Sequence, residues 1–362
     1  MRLGVEAAVV DGVLLRGDVE VADGRIVGVG VGDGGSGIAI PGLVDLQVNG
    51  FGGVDFAGAD AAGYRRAGEA LLERGVTAFQ PTFITATEEE LTASLAAVPA
   101  EPIGPRVIGV HLEGPFLSPR RIGAHPLEAR RDPDPALLRR LLDAGPVSAM
   151  TLAPELDGAL ELIDVLAEHG VVGSCGHSDA TAEEAERAFD RGVATVTHLF
   201  NAMRPLGHRD PGIAGAALAR DDVVVQLILD GHHLAEETVR VVWRAAAGRV
   251  ALVSDAIAAA GMGDGSYRLG SVEVEVRDGV ARRENGVLAG SVLSLIDAVR
   301  NLYALDVPLE DAVGAATTVP ARVARRPDLG SLRPGADADV VVLDDALEIR
   351  AVFVGGQELV AA

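Results

Sequence analysis

Lysine is absent from this chain of 362 residues, and all 31 basic residues are arginine. Schiff-base chemistry, a P-loop lysine and a carboxylated-lysine metal bridge are therefore impossible. The last exclusion removes many binuclear barrel hydrolases. GC-rich coding is a sufficient cause of the absence, and the chemical exclusion holds whatever the cause. Cysteine is nearly missing too. Cys175 is the sole one, so no intramolecular disulfide can form, which fits a reducing cytoplasm. Positive charge is scarce: the formal net charge is −22, which argues against nucleic acid and against an anionic membrane surface as partners. A small anionic substrate remains open, given a local pocket of Arg, His and backbone N–H groups. No run of about 18 uninterrupted apolar residues occurs, so no transmembrane helix is expected. Glu6 and Asp11 interrupt the N-terminal apolar stretch where a signal peptide would need its h-region.

What the chain does have is alternation. Residues 1–40 read as short strands (VEAAVV, VLLRGDVEV, RIVGVGV) separated by Asp-Gly turns at Asp11-Gly12 and Asp23-Gly24, a strong hairpin signal. From Ile40 onward, apolar strands alternate with amphipathic helices. The strands are IPGLVDLQVNG, VTAFQPTF, VIGVHLEG, VSAMTLAPE, VVGSCGHS, VATVTHLF, VVVQLILDG and VALVSDA. The helices are ADAAGYRRAGEALLERG, ELTASLAAV, PALLRRLLDAG, ALELIDVLAEHG, AEEAERAFDRG and EETVRVVWRAAAG. Such a pattern predicts a parallel sheet with right-handed crossovers. The length allows one barrel of about 250 residues plus a smaller module. YRLGSVEVEVRDGVARRENGVLAG interrupts the pattern with hairpins turning at Asp278-Gly279 and Asn285-Gly286, and helices return with SLIDAVRNLYAL and LEDAVGAATTVPARVA. The tail, GADADVVVLDDALEIRAVFVGGQEL, is strand-rich like the opening. The expected fold is α/β: a (β/α)8 TIM-type barrel over 41–334 with a β-hairpin insertion near 266–288, and a small β module formed jointly by 1–40 and 335–362.

In a (β/α)8 barrel the C-terminal strand ends open onto one face, where active sites are built. Four apolar runs end in a residue that can hold or use a metal ion: VIGVHLEGPF in Glu113, with His111 before it, VVGSCGHSDAT in His177, ATVTHLFNAM in His198 and VALVSDA in Asp255. Glu113, His177 and His198 supply one carboxylate and two imidazoles. That set suits a catalytic zinc site, which takes three protein ligands and keeps one position open. One histidine at a strand end is more often a hydrogen-bonded core or surface residue; the convergence of four strand ends is what favours a metallohydrolase. Asp255 ends a continuous apolar run, where an unpaired carboxylate is costly. Its structural reading is a salt bridge or helix N-cap. Its functional reading is a general base that takes a proton from the attacking water and later gives one to the leaving group. Cys175 shares the strand face of His177 and reads as a buried small hydrophobe. His169 reads as a helix C-terminal dipole partner, and His111, His208 and His232 receive no role.

The segments PGLVDLQVNGFGG, HLEGPF, GAHP, GHSDAT, THLFNAMRPLGHRDPG, DGHHL, SDA, LAGS and GSLRPGADADVVVLD follow one another in this order. Together they resemble the N-acetylglucosamine-6-phosphate deacetylase family of the amidohydrolase superfamily, over roughly 40 to 345. The resemblance implies a distorted barrel with a terminal β-sandwich, a divalent metal and a homodimer. It also implies metal-dependent deacetylation of N-acetylglucosamine 6-phosphate. Residue by residue, it implies Glu113, His177 and His198 as metal ligands, Asp255 as acid/base, and His125 in GAHP as the group polarising the acetyl carbonyl, with Ala124 beside it. Asn201, Ala202, Arg209 and His233 would hold the sugar phosphate, Arg209 from within the subunit or across a dimer interface. Leu288, Ala289 and Gly290 would line the sugar pocket. Phosphate recognition by a guanidinium fork and N–H donors agrees with this.

One departure from the wider superfamily bears on metal count. Where many amidohydrolases carry His-x-His after the first barrel strand, this chain has Gln47-Val48-Asn49, and amides are poorer zinc ligands than imidazole. One divalent ion per subunit is therefore expected: zinc first, with iron(II) or cobalt suiting the same donors. The rivals are an amidohydrolase for another N-acyl substrate, such as N-acetylgalactosamine 6-phosphate or an N-acyl amino acid, and a catalytically silent barrel. Four intact ionisable groups at strand ends argue against silence.

Overall fold

The computed structural model describes every residue except Asp33, Pro102 and Ala362. Eight strands form a parallel barrel: β1 (Leu43–Val48), β2 (Val76–Ile84), β3 (Val110–Glu113), β4 (Val147–Leu152), β5 (Val172–Cys175), β6 (Thr195–Val196), β7 (Val224–Leu227) and β8 (Val250–Leu252). Each pairs in parallel with the next in sequence. β1 and β2 are buried along their whole length, which is why they read as continuous apolar runs and not as alternating ones. The helices that follow are α1 (Ala61–Leu72), α2 (Glu88–Ala96), α3 (Pro135–Ala144), α4 (Ala159–Glu168), α5 (Ala182–Asp190), α6 (Gly212–Ala219), α7 (Glu236–Ala245) and α8 (Leu295–Tyr303). Capping boxes start two of them, Thr87 with Glu90 and Thr181 with Glu184. No helix among the described residues is long and apolar enough to cross a membrane.

Helix α6 is absent from the sequence reading. GIAGAALA is apolar on nearly every side and buried at Gly212, Ile213, Ala214, Ala216 and Ala217, so it lacks the polar stripe that marks a surface helix. LEDAVGAATTVPARVA also differs, dividing into helices at Leu309–Ala315 and Thr318–Val323.

The terminal segments meet in one six-stranded sheet, in which Ile38–Pro41 lies between Ala7–Val10 and Val340–Leu343. Alternation gives this sheet two apolar faces. Val9, Ile40, Val341, Leu343 and Val352 join the barrel core. Ala8, Val10, Ala39, Val340 and Val342 face Val19, Val21 and Ile26 of the hairpin Asp18–Ala22/Arg25–Val31, so the terminal unit is a small sandwich. The stretch VLLRGDVEV, read from sequence as one strand, breaks at Gly17 into Val13–Arg16 and Asp18–Ala22. Gly17 has φ 109°, and a Cβ there would lie 2.6 Å from the Gly30 carbonyl carbon, so the chain switches sheets at the residue that tolerates both. Asp339 ties this unit to the barrel by accepting from Arg106 Nε and Nη2, both at 3.0 Å.

A third sheet, Gly265–Leu269, Val272–Arg277 and Val280–Arg282, turns its alternate residues Val272, Val274 and Val276 toward Ile84, Ala124 and Ile257. It therefore covers part of the barrel mouth.

The ring closes between β8 and β1 through single bonds instead of a ladder. Asp255 N–H donates to the Gln47 carbonyl at 2.9 Å, and Ser254 N–H donates to Asp45 Oδ1 at 3.2 Å. The other Asp45 oxygen is buried without a protein partner, and burial pushes this carboxyl up to about 6 against the hydrogen bonds from Ser254 and Gln47. An acid raised in the folded state contributes stability that is complete below its unfolded value, about 3.9, and is lost as pH rises through about 6. Asp45→Asn cannot ionise and should escape that loss. The melting temperature of the variant relative to wild type is thus expected to climb between pH 4 and 7, by the equivalent of up to about 2–3 kcal/mol. A pH-independent difference would contradict this.

Candidate metal centre

Three left-handed residues shape the barrel mouth. His177 (φ 47°), His198 (φ 29°) and Asp255 (φ 49°) lie just past β5, β6 and β8, in a region that non-glycine residues occupy at a cost. The kink turns the chain out of each strand. Glu113 reaches the same mouth as the last residue of β3.

Their side-chain atoms converge. His177 Nε2 and His198 Nε2 lie 3.0 and 2.9 Å from Glu113 Oε1 and 3.1 Å from each other. His177 Nδ1 is 3.0 Å from the Arg121 carbonyl, which can only accept. Nδ1 therefore carries a proton, and Nε2 is the nitrogen that the ring turns to the triangle. Fixing a tautomer through the remote nitrogen is the usual support of a metal-ligating histidine. Two imidazole nitrogens and a carboxylate oxygen at these separations fit one divalent cation with bonds of about 2.0–2.2 Å. Burial alone would raise the Glu113 carboxyl, but hydrogen bonds from His177 and His198 hold it well below the usual range, so it is an anion.

Glu113, His125 and His177 also form a group whose ligand atoms lie within 4.8 Å of one another. The tautomer of His125 weighs against its use as a ligand. The Thr85 backbone N–H donates to His125 Nδ1 at 3.2 Å. Burial, with the neighbouring His177, pushes this imidazole down to about 3, so the ring is neutral and its one proton is on Nε2. That nitrogen faces Glu113 Oε2 at 3.7 Å as a donor.

Asp255 completes the group. Asn49 Nδ2–H donates to its Oδ1 at 2.7 Å. Burial and the Glu113 charge raise its carboxyl to about 7. The two carboxylates of the mouth thus differ in kind: one is ionised by its imidazoles, the other is poised to exchange a proton near neutrality. Gln47 lies beneath with both amide atoms buried and without protein partners.

These groups share a cavity of about 340 Å³ with Asn201, Ala202, Ala124, His233, Leu288 and Gly290. His233 Nδ1–H donates to Asp230 Oδ2 at 2.8 Å; despite burial, that hydrogen bond keeps Asp230 down at about 2. Ala289 is fully buried and packs with Ile84, Ala124 and Ile257 behind the cavity wall. Arg209 is exposed and does not line the cavity. Two residues that the sequence reading passed over do line it: Arg120 and Arg121. Their signal was an adjacent pair of cations one residue ahead of GAHP.

The sequence matches the amidohydrolase family over residues 38–359. The chain belongs to the amidohydrolase family. This amidohydrolase is 39% identical to an N-acetylglucosamine-6-phosphate deacetylase of Mus musculus, across 96% of this chain and 92% of the mouse protein. It is 35% identical to an N-acetylgalactosamine-6-phosphate deacetylase of Escherichia coli O157:H7, across 94% and 93%. Its fold superposes with TM-score 0.95 on a mutant N-acetyl-D-glucosamine-6-phosphate deacetylase of Mycobacterium smegmatis in complex with N-acetyl-D-glucosamine-6-phosphate, at 38% identity over 100% of this chain and 99% of that one.

Zinc titrated into chelator-treated amidohydrolase is expected to raise its melting temperature and to saturate near one ion per chain. At a free zinc level of about 100 Kd the stabilisation should be about 2.7 kcal/mol. Glu113→Gln should abolish most of the shift. Saturation at two ions would show that Gln47 and Asn49 help to hold a second.

Proposed function

We propose that the protein deacetylates N-acetylglucosamine 6-phosphate, releasing acetate and glucosamine 6-phosphate. The observation that carries this reading is the donor triangle of Glu113, His177 and His198 beside a buried Asp255 raised to about 7, in a chain whose relatives bear that activity in their names. We assign the triangle as the ligands of one divalent cation per subunit, zinc by its donor set, with iron(II) and cobalt suited to the same atoms. When bound, that cation supplies Lewis acidity, making water easier to deprotonate and the acyl carbonyl more electrophilic.

The protein's own groups do the rest. Asp255 takes the proton of the attacking water as the oxygen adds to the acetyl carbon. His125, neutral and protonated on Nε2, donates to the carbonyl oxygen as negative charge gathers there. Asp255 then returns the proton to nitrogen as the C–N bond breaks, which a carboxyl near 7 can do at neutral pH. Ala124 lies beside His125, Asn201, Ala202 and His233 bind the sugar phosphate, and Leu288 and Gly290 form the sugar wall with Ala289 packed behind them. Arg209, on its exposed loop, would reach the phosphate of a second copy in a homodimer. A cytoplasmic setting goes with this reading. So does a division into a terminal sandwich (1–40 and 335–362) and a barrel (41–334) carrying the insertion near 266–288.

Acetate release should be fastest from N-acetylglucosamine 6-phosphate and much slower from the sugar lacking phosphate. Preference for N-acetylgalactosamine 6-phosphate would favour the epimeric reading, to which the relative in Escherichia coli lends weight. Indifference to phosphate would leave a broader N-acyl hydrolase. Asp255→Asn keeps the shape and the Asn49 contact but cannot accept a proton. Its kcat should fall at least about 10²-fold with metal content retained, and near-wild-type turnover would remove Asp255 from the mechanism.

A further inference from the structure

We propose that Arg120 and Arg121 bind the phosphate of the substrate from within the subunit whose metal site acts on it. The inference rests on the phosphorylated amino sugar as substrate and adds a recognition element from the same chain.

Charge balance in the cavity is the first reason. Its wall carries the carboxylates of Glu113 and Asp255, and the whole chain is strongly acidic. A phosphate dianion entering that field needs a fixed cation close by. Among the described residues lining the cavity, Arg120 and Arg121 are the only arginines, and Arg209 lies outside it.

Position is the second reason. The two side chains precede Gly123, Ala124 and His125 on the segment that lies across the mouth. Gly123 has φ 60°, and a Cβ there would lie 3.0 Å from His177 Cε1, so this segment runs against the imidazole. The Arg121 carbonyl accepts from His177 Nδ1 at 3.0 Å. The two guanidinium groups are thus carried by the backbone that orients a member of the donor triangle, and they sit within the same wall as Asn201 and His233.

Spare donor capacity is the third. Both guanidinium groups rest on one carboxylate. Arg121 Nε and Nη2 lie 2.8 and 2.7 Å from Asp179 Oδ1, and Arg120 Nη1 lies 3.3 Å from Oδ2. Arg204 approaches Oδ2 as well, at 3.7 Å, while pairing with Asp210. Each guanidinium offers five N–H donors, and the Arg120 side chain is 79% exposed. Asp179 therefore gathers the forks at the cavity rim without filling them. A planar fork matches phosphate oxygens in pairs, and in a chain without lysine no ammonium can substitute.

The test compares purified, zinc-loaded wild type with Arg120→Gln, Arg121→Gln and Arg209→Gln. It measures kcat/KM for N-acetylglucosamine 6-phosphate and for N-acetylglucosamine, and reports their ratio. Loss of a charged hydrogen-bond donor should lower that ratio about 10- to 100-fold in the Arg120 and Arg121 variants. Inorganic phosphate should inhibit each of them at least about 10-fold more weakly than wild type. An unchanged ratio in both variants, with both substrates slowed equally, would mean that the arginines only brace the segment through Asp179. A ratio that collapses in Arg209→Gln alone would put phosphate recognition on that loop; either result overturns the proposal. A wild-type ratio near one would remove the substrate reading and this inference together, whereas a large wild-type ratio surviving in both variants removes this inference alone. If a Gln variant fails to fold, Arg→Lys at the same position keeps the charge without the fork and should show a smaller loss of ratio.

Discussion

Two carboxylates share a cavity where water cannot fully solvate them, in a chain that is already strongly anionic. Burying an unpaired carboxylate is prohibitively costly, so the barrel mouth must neutralise Glu113 and Asp255, and it does so in different ways. Glu113 receives two imidazoles and stays an anion; Asp255 receives one amide N–H from Asn49 and sits near its protonation midpoint at neutral pH. The separation follows from the partners each strand end provides. On the proposed mechanism, it leaves one carboxylate to hold a cation while the other moves protons.

Around this pair, three of the four imidazoles have one nitrogen assigned by a neighbour: Arg121 C=O for His177, the Thr85 N–H for His125 and Asp230 for His233, whereas His198 Nδ1 is buried without a protein partner. These partners come from separate loops, so the protonation pattern of the site is a property of the whole barrel face. The left-handed backbone at His177, His198 and Asp255 is a cost of the same arrangement. The fully buried strands behind those residues supply the apolar packing that holds them in it.

Much of this was legible in the sequence. Alternating strands and amphipathic helices gave the barrel, and the terminal Asp-Gly turns at Asp11 and Asp23 appear with φ values of 51° and 50°, as hairpin turns require. Glu113, His177, His198 and Asp255 were visible because each ends an apolar run. Helix α6 was not, because a helix buried on most sides has no periodic polar face. Gly17 was not recognised as a sheet switch, because the apolar pattern continues across it. Arg120 and Arg121 escaped notice because a solvated side chain is the ordinary state of arginine; only their place in the cavity lining gives the pair meaning. Tautomers have no sequence signal at all, since they depend on which carbonyl or N–H the fold brings to each ring.

The small sandwich has a consequence for the order in which the molecule assembles. Ile38 pairs with Leu343, and Ile40 with Val341, so the centre of that sheet joins residues from opposite ends of the barrel segment. The entropy of closing a loop rises with its length, and a loop spanning an entire barrel closes most readily once the barrel has brought its own ends together. The barrel is therefore the template on which the terminal sheet zips. Until Val340–Leu343 arrives, Ile38–Pro41 has only its parallel neighbour Ala7–Val10 and an open edge, the kind of unpaired strand that draws other chains. Burial of Ile40 and Val341 against the barrel core then acts as the final lock on a fold whose catalytic face has already formed at the other end.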